Sequence, residues 1–134
     1  MAKSNIKVIF QKDIQIIWTI VTDLQNYQWR TDLSKIEILN EKQFIEYSKT
    51  GYATNFTTTY FEPYKRWEFI MENENMSGYW IGIFTQIGEK TKIDFTENVT
   101  AKKLYLKPFV KAYLKKQQKI YIQDLTQKLK VDYE

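Results

Sequence analysis

Two features of the sequence predict an α+β fold in a single domain of residues 1–134: an antiparallel meander of strands and one long C-terminal helix. Short alternating segments are separated by turn residues roughly every 10–15 positions, which is the rhythm of such a meander. Residues 104–131 instead have the periodicity of an amphipathic helix, long enough to cover one face of a sheet. No internal repeat, low-complexity stretch or linker indicates a second domain.

The predicted elements follow one another along the chain. Residues 5–11 alternate as a strand, and Asp13 can cap a helix that begins at Ile14 and ends at Thr22 or Asp23. Residues 23–30 hold a second short helix or a turn, so we expect two short helices after the first strand. The later strands are predicted at residues 34–40, 43–49, 52–61, 66–72, 77–87 and 91–100, which makes a sheet of about six or seven strands.

The long helix is predicted to turn one side to the sheet and the other to water. The apolar side contains Leu106, Phe109, Val110, Tyr113, Ile120 and Tyr121. The opposite side carries Lys107, Lys111, Lys115 and Lys119. Farther along, Ile122, Leu125 and Leu129 rotate away from the apolar side. Either the helix bends near Ile120, or its two halves pack on different parts of the sheet.

The composition narrows the chemistry open to the chain. There is no Cys and no His, which removes thiol nucleophiles and the commonest metal ligands, so we expect no metal site and no cofactor. Aromatic residues make up 16% of the chain. Since Tyr and Trp combine an apolar body with a polar atom, this load is typical of a core with polar handles or of a pocket lining.

Positive charge is concentrated near the C-terminus. From residue 101 onward, nine Lys accompany three acidic residues, within a net charge of +4 for the chain. The lysines form either a solvated face or a weak contact for an anionic surface. Nucleic acid is not expected, because aromatic residues are not interleaved with the lysines. With no run of ~20 apolar residues and a polar stretch at residues 1–5, we expect no membrane span, no signal peptide and a cytoplasmic protein.

In residues 17–33 the chain reads IWTIVTDLQNYQWRTDL, which is similar to the N-terminal signature of the START and birch-pollen-allergen-like (SRPBCC) superfamily. Gly78-Tyr79-Trp80 and residues 88–93 also resemble its polyketide cyclase/dehydratase-like branch. The resemblance implies a helix-grip fold, in which a curved antiparallel sheet wraps around the C-terminal helix and an apolar cavity lies between them. It implies binding of a lipid, polyketide or similar hydrophobic molecule, with enzymes as a minority. The chain lacks the glycine-rich loop of the plant allergen branch.

Aromatic residues at alternating strand positions are candidates for the lining of such a cavity, or for ordinary core packing. The sets that share a strand face are Tyr52, Phe56 and Tyr60; Trp67, Phe69 and Met71; and Trp80 with Phe84. Gly82, between Trp80 and Phe84, either leaves room for a close approach or marks a bulge.

Polar residues in apolar settings are the second group of candidates. Glu97 is in phase with the apolar positions of the last strand, and Gln117 and Asp124 project with the apolar side of the helix. A carboxyl in such a place is either a ligand anchor or general acid/base with a raised pKa, or it reaches water at the end of an element. Arg30 and Asp32 either pair with each other or hold a ligand head group.

These candidates support two hypotheses from different classes, of which we favour the first. The chain binds a hydrophobic small molecule, or it is a cyclase/dehydratase-type enzyme that uses Glu97, Tyr hydroxyls and Arg30. A protein-interaction role through the basic helix is a third. The predicted ligand-binding residues are Trp29, Arg30, Tyr52, Phe56, Tyr60, Trp67, Phe69, Trp80, Phe84, Glu97, Tyr113 and Gln117.

Overall fold

A computed structural model describes residues 1–133 as one sheet with two α-helices and a short 3₁₀ segment. The strands are β1 (Ala2–Phe10), β2 (Leu33–Ile38), β3 (Gln43–Ser48), β4 (Ala53–Glu62), β5 (Arg66–Glu72), β6 (Met76–Ile87) and β7 (Lys90–Ala101). The helices are α1 (Ile14–Thr22) and α2 (Val110–Tyr133), and the 3₁₀ segment is Leu104–Phe109. The predicted domain of residues 1–134 includes Glu134, which lies outside the described residues.

The seven strands form a curved antiparallel sheet in the order β1-β7-β6-β5-β4-β3-β2. Consecutive strands from β2 to β7 are neighbours, and each is joined to the next by a tight turn. β1 pairs with β7 and forms one edge of the sheet. The predicted meander and the predicted long C-terminal helix are both confirmed, and together they form a helix-grip fold. The inner face of the sheet carries the large aromatic side chains.

The helix after the first strand forms where its cap predicts it, but the second short helix is wrong. Asp13 accepts a hydrogen bond from the backbone N–H of Gln15 at 2.8 Å, and α1 follows. Residues 23–32 form turns instead. The Asp23 carboxylate accepts from the Gln25 N–H at 3.1 Å and from the Asn26 amide at 2.6 Å. Such local side-chain bonds compete with helical hydrogen bonding.

The two halves of α2 pack against different parts of the sheet, which was one of the two predicted arrangements. Val110 and Leu114 pack with Val99 near the end of β7. Leu125 and Leu129 join the main aromatic core, which also includes the buried face of α1. The helix therefore spans the sheet and closes its inner face along the whole of its length.

The predicted apolar side of α2 is wrong at its first turns. Phe109 and Tyr113 are 66% and 46% exposed, whereas Leu114 is buried. Phe109 lies in the 3₁₀ segment, which has about three residues per turn, so a wheel drawn at 3.6 residues per turn does not place it correctly. Val110 is buried on the predicted side, and Tyr113, although partly exposed, lines the pocket. The predicted lysine side is exposed as expected, at Lys107, Lys111, Lys115 and Lys119. The interaction role suggested for it stays a prediction.

Gly82 makes room for a close approach, as one of the two interpretations of its position predicted. A side chain at Gly82 would overlap the six-membered ring of Trp80, which folds back along its own strand over this glycine. The absence of a Cβ therefore lets the Trp80 indole lie against the sheet.

No helix within residues 1–133 is long and apolar enough to cross a lipid bilayer. The cytoplasmic location expected from the sequence stays a prediction.

Candidate ligand-binding site

A pocket of about 250 Å³ lies between the inner face of the sheet and α2. Its volume is close to the lower end of the ~300–1,000 Å³ common for small-molecule sites. Apolar and aromatic side chains form most of its lining: Ile6, Val21, Leu24, Leu33, Phe44, Phe56, Trp67, Phe69, Met71, Met76, Trp80, Phe95, Val99 and Leu114. The polar lining is smaller: Arg30, Asp32, Glu46, Ser48, Tyr52, Thr54, Asn73, Glu97, Tyr113, Gln117, Gln118 and Tyr121.

The aromatic wall of the pocket is held by ring-to-ring packing. The Phe69 and Trp80 rings stack with their centroids 4.7 Å apart and their planes 8° from parallel. Trp67 meets both rings edge to face, at 5.1 Å from Phe69 and 5.7 Å from Trp80. The Trp67 indole N–H donates to the Thr58 hydroxyl at 3.2 Å, so its polar atom is satisfied. Because each ring is fixed by its neighbours, the wall is preorganised.

Among the described residues 1–133, Arg30 is the only cation that lines the pocket, and two carboxylates compensate it. Its Nε and Nη2 donate to the two oxygens of Asp32 at 3.1 Å each, and Nη1 lies 3.6 Å from a Glu46 oxygen. The guanidinium also lies 4.7 Å from the centre of the Tyr121 ring. Burial alone would lower the pKa of Arg30, but the negative charges of Glu46 and Asp32 outweigh it and raise the pKa. The predicted pairing of Arg30 with Asp32 is therefore present, and both residues line the pocket.

Glu46 and Tyr121 complete this cluster from opposite sides, one on β3 and the other on α2. Burial raises the pKa of Glu46, and the charge of Arg30 opposes that rise. Burial also raises the pKa of Tyr121, so its hydroxyl stays protonated at neutral pH. Sequence reasoning did not select either residue as a site residue. Alternation along β3 was the available signal for Glu46, since Phe44, Glu46 and Ser48 share the face that lines the pocket.

Glu97 lies on β7 between Ser4 on β1 and Trp80 on β6, and it faces the pocket as its alternation predicted. Burial and, to a smaller extent, the charge of Glu46 raise its pKa to about 7, against the opposing charge of Arg30. No hydrogen bond to another side chain in residues 1–133 contributes to this shift. The pKa of the nearby Tyr113 is raised by burial and by the charge of Glu97. Among the described residues 1–133, Glu97 is thus an acid with no hydrogen-bond partner, and its pKa lies near neutral pH.

Nine of the twelve predicted ligand-binding residues line the pocket. They are Arg30, Tyr52, Phe56, Trp67, Phe69, Trp80, Glu97, Tyr113 and Gln117. Trp29 and Phe84 do not: Trp29 packs edge-on against Tyr121 at 5.3 Å, and Phe84 lies in the core against Trp18 at 4.8 Å. Their predicted ligand contacts, like those of the other ten, stay predictions of function.

The predicted shared face of Tyr52, Phe56 and Tyr60 is wrong for Tyr60. A bulge between Thr58 and Tyr60 shifts the register against β5, which reverses the alternation after that point. Tyr60 is consequently 46% exposed, and its hydroxyl donates to Glu62 at 3.1 Å.

Two polar residues of α2 have structural roles outside or beside the pocket. Asp124 is buried and accepts hydrogen bonds from the backbone N–H of Thr31 at 2.8 Å and from its hydroxyl at 2.9 Å. It therefore ties the turn that carries Arg30 to the helix. Gln118, which sequence reasoning did not select, accepts from the Ser4 hydroxyl at 2.7 Å and fixes α2 to β1.

Comparison with solved structures shows which fold this is. A START superfamily protein from Mycobacterium smegmatis superposes with a TM-score of 0.85 at 15% identity, over 97% of this chain and 98% of that one. A conserved protein from Geobacillus kaustophilus gives 0.83 at 11% identity, over 98% and 97%. DynU16, a protein of the dynemicin biosynthetic locus, gives 0.72 at 13% identity, over 97% of this chain and 48% of DynU16. The chain thus has the START superfamily fold, as its sequence resemblance implied.

No protein-family model matches the sequence, and no curated protein matches it either. The likeness therefore concerns the fold, and the chemistry must be argued from the pocket.

Proposed function

We propose that the protein binds a small hydrophobic molecule in the pocket between the sheet and α2. The lining carries this proposal, because a fixed aromatic wall faces a few convergent polar groups, which is how small-molecule sites are commonly built. Tyr113 lines the pocket and is 46% exposed, so it lies where the pocket meets solvent and a ligand could enter. The START superfamily fold of the M. smegmatis neighbour is consistent with this general kind of function.

The proposal is tested first by native mass spectrometry, which looks for copurified molecules in protein purified without detergent or organic solvent. The stripped protein is then titrated with N-phenylnaphthylamine, an uncharged aromatic fluorophore, while Trp fluorescence is followed. We expect saturable binding with quenching, because Trp67 and Trp80 both line the pocket. If no molecule copurifies with the protein and the fluorophore does not bind saturably, the proposal is contradicted.

A second candidate function is a cyclase/dehydratase-type enzyme, and the observation that favours it is the pKa of Glu97. A carboxyl with a pKa of about 7 can accept and return a proton at neutral pH, which suits general acid–base catalysis. Glu97 would take a proton from the carbon next to a carbonyl, and the Tyr113 hydroxyl would protonate the departing hydroxyl group, which leaves as water. The proton held by Glu97 would then return to Tyr113 through solvent. DynU16 comes from a biosynthetic locus, which is compatible with such chemistry.

The enzyme hypothesis is tested with a phenyl-substituted β-hydroxy ketone. Its dehydration is monitored by the rise in absorbance of the conjugated enone product. We expect the rate to increase with pH, with a midpoint near the pKa of Glu97, about 7. Glu97→Gln should lose this activity. If the wild type binds the ketone but dehydrates it no faster than Glu97→Gln does, this reaction is excluded and the proposed binding function is unaffected.

A further inference from the structure

We propose that the molecule bound in this pocket carries a basic amine, which pairs as an ammonium group with Glu97 beside the aromatic wall. The inference rests on the proposed binding function and names the class of ligand. It concerns hydrophobic amines, as distinct from fatty acids, other hydrophobic carboxylates and neutral alcohols.

The charges that line the pocket are unbalanced. Within residues 1–133, its lining contains one basic side chain, Arg30, and three carboxyl groups, those of Asp32, Glu46 and Glu97. Two acids, Asp32 and Glu46, accompany the single cation Arg30, so acidic groups are in excess before Glu97 is counted. A ligand anion placed there would meet like charge in a site largely withdrawn from water, where such repulsion is poorly screened.

Arg30 is not free to bind an incoming anion. Its forked contact with Asp32, at 3.1 Å for each bond, occupies one edge of the guanidinium. Glu46 lies 3.6 Å from Nη1, and the Tyr121 ring covers one face at 4.7 Å. A ligand carboxylate would have to displace one of these acids, and the displaced acid would then lie in the pocket without a partner. Arg30 therefore acts as the internal counter-ion of Asp32 in the turn and of Glu46 on β3.

Of the three acids that line the pocket, Glu97 is the one that makes no ion pair with another of the residues 1–133. It keeps some accessible surface because it faces the pocket, but its carboxyl lies deep in the protein, and the pKa of about 7 reflects this burial. A buried carboxylate is costly unless it is paired. An ammonium group would supply both the opposite charge and the hydrogen-bond donors that the protein does not provide.

The aromatic wall favours the same kind of group. Trp80 is the cross-strand partner of Glu97, and both side chains line the pocket. The aromatic wall therefore lines the same pocket as Glu97, and aromatic rings attract cations through their quadrupole. A metal ion is a poor alternative, since no group of three or more acidic side chains among residues 1–133 is arranged to hold one.

Three probes with one ring system test the inference: naphthylmethylamine, naphthalenemethanol and naphthoate, titrated by calorimetry near pH 8, where Glu97 is mostly ionised and the amine is still protonated. We expect the amine to bind at least about tenfold more tightly than the alcohol, and the naphthoate to bind most weakly. Glu97→Gln should remove the advantage of the amine over the alcohol. Glu41→Gln, at an exposed position, removes a carboxylate outside the pocket and should keep the order of the wild type.

The outcomes separate the two proposals. If naphthalenemethanol or naphthoate binds as tightly as the amine, or if Glu97→Gln keeps the preference, the amine inference is overturned and the binding function remains. If none of the three probes binds, and N-phenylnaphthylamine does not bind either, the proposed binding function itself fails.

Discussion

Glu97 on β7 lies directly across from Trp80 on β6, and both side chains face the pocket under α2. This cross-strand pair therefore combines an acid that has no hydrogen-bond partner among residues 1–133 with an indole that stacks on Phe69. A charge at this position would be destabilising in an ordinary core. Its presence beside a preorganised aromatic wall distinguishes the pocket from a packing defect.

The stability of the protein should fall as Glu97 ionises. Its pKa is about 7 in the folded state against an ordinary value of 4.5, so the folded protein holds this proton more tightly than the unfolded chain. Its contribution to the free energy of unfolding is thus fully present below pH 4.5 and is lost as the pH rises through about 7. The loss amounts to at most ~3 kcal/mol.

Urea unfolding of wild type and Glu97→Gln between about pH 5 and 8 measures this contribution. The variant should gain stability relative to the wild type as the pH rises, because it has no carboxyl to ionise. Glu89→Gln, in the exposed turn between β6 and β7, should follow the wild-type curve. A difference between Glu97→Gln and wild type that is constant with pH would contradict the assignment.

Arg30→Ala should be strongly destabilising, because it leaves the carboxylates of Asp32 and Glu46 without their counter-ion. Breaking a buried pair by removing one partner costs about 3–5 kcal/mol, here measured as the loss in the free energy of urea unfolding. Arg66→Ala is the matched control: Arg66 pairs with Glu68 at 2.5 Å, but its side chain is 42% exposed, so its loss should cost ~1 kcal/mol or less. Equal losses for the two arginines would show that the Arg30 cluster is effectively solvated.

Most of the fold was predictable from the sequence because its signals are local. Turn residues and the period-two pattern placed all seven strands within a few residues, and Asp13 marked the start of α1. The segment after α1 was mistaken for a possible second helix, because its Asp and Asn side chains form turn hydrogen bonds that hydrophobic spacing does not reveal.

The pocket was only partly predictable, since its lining depends on features that break a regular period. The bulge before Tyr60 reversed the facing of β4. On α2, Leu114 is buried and lines the pocket although the helical wheel did not select it, whereas Tyr113 lies at the exposed edge of the pocket. The link between Arg30 and Glu46 depends on a contact between a turn and a strand that only the folded chain brings together.

Gly82→Ala should destabilise the protein through Trp80. The added methyl group would overlap the Trp80 ring, and forcing an extra carbon into a packed core costs about 1–3 kcal/mol. Trp80→Phe removes the ring atoms that the methyl group would meet, so Gly82→Ala should cost less in that background. Urea unfolding of the wild type, both single variants and the double variant gives the coupling energy. Strictly additive losses would mean that the glycine does not serve to accommodate the indole.

A larger side chain on the pocket side of α2 should weaken ligand binding with little effect on folding. Gln117 lines the pocket and is only partly buried, so a Trp at this position can enter the open volume without displacing core side chains. Gln117→Trp should weaken N-phenylnaphthylamine binding at least about tenfold, because the indole occupies the space that the ligand needs. Lys116→Trp introduces the same residue one position earlier, on the exposed side of α2, and should bind as the wild type does. If both variants bind equally well, the fluorophore does not occupy this pocket, and a loss in both would indicate damage to the helix rather than a filled site.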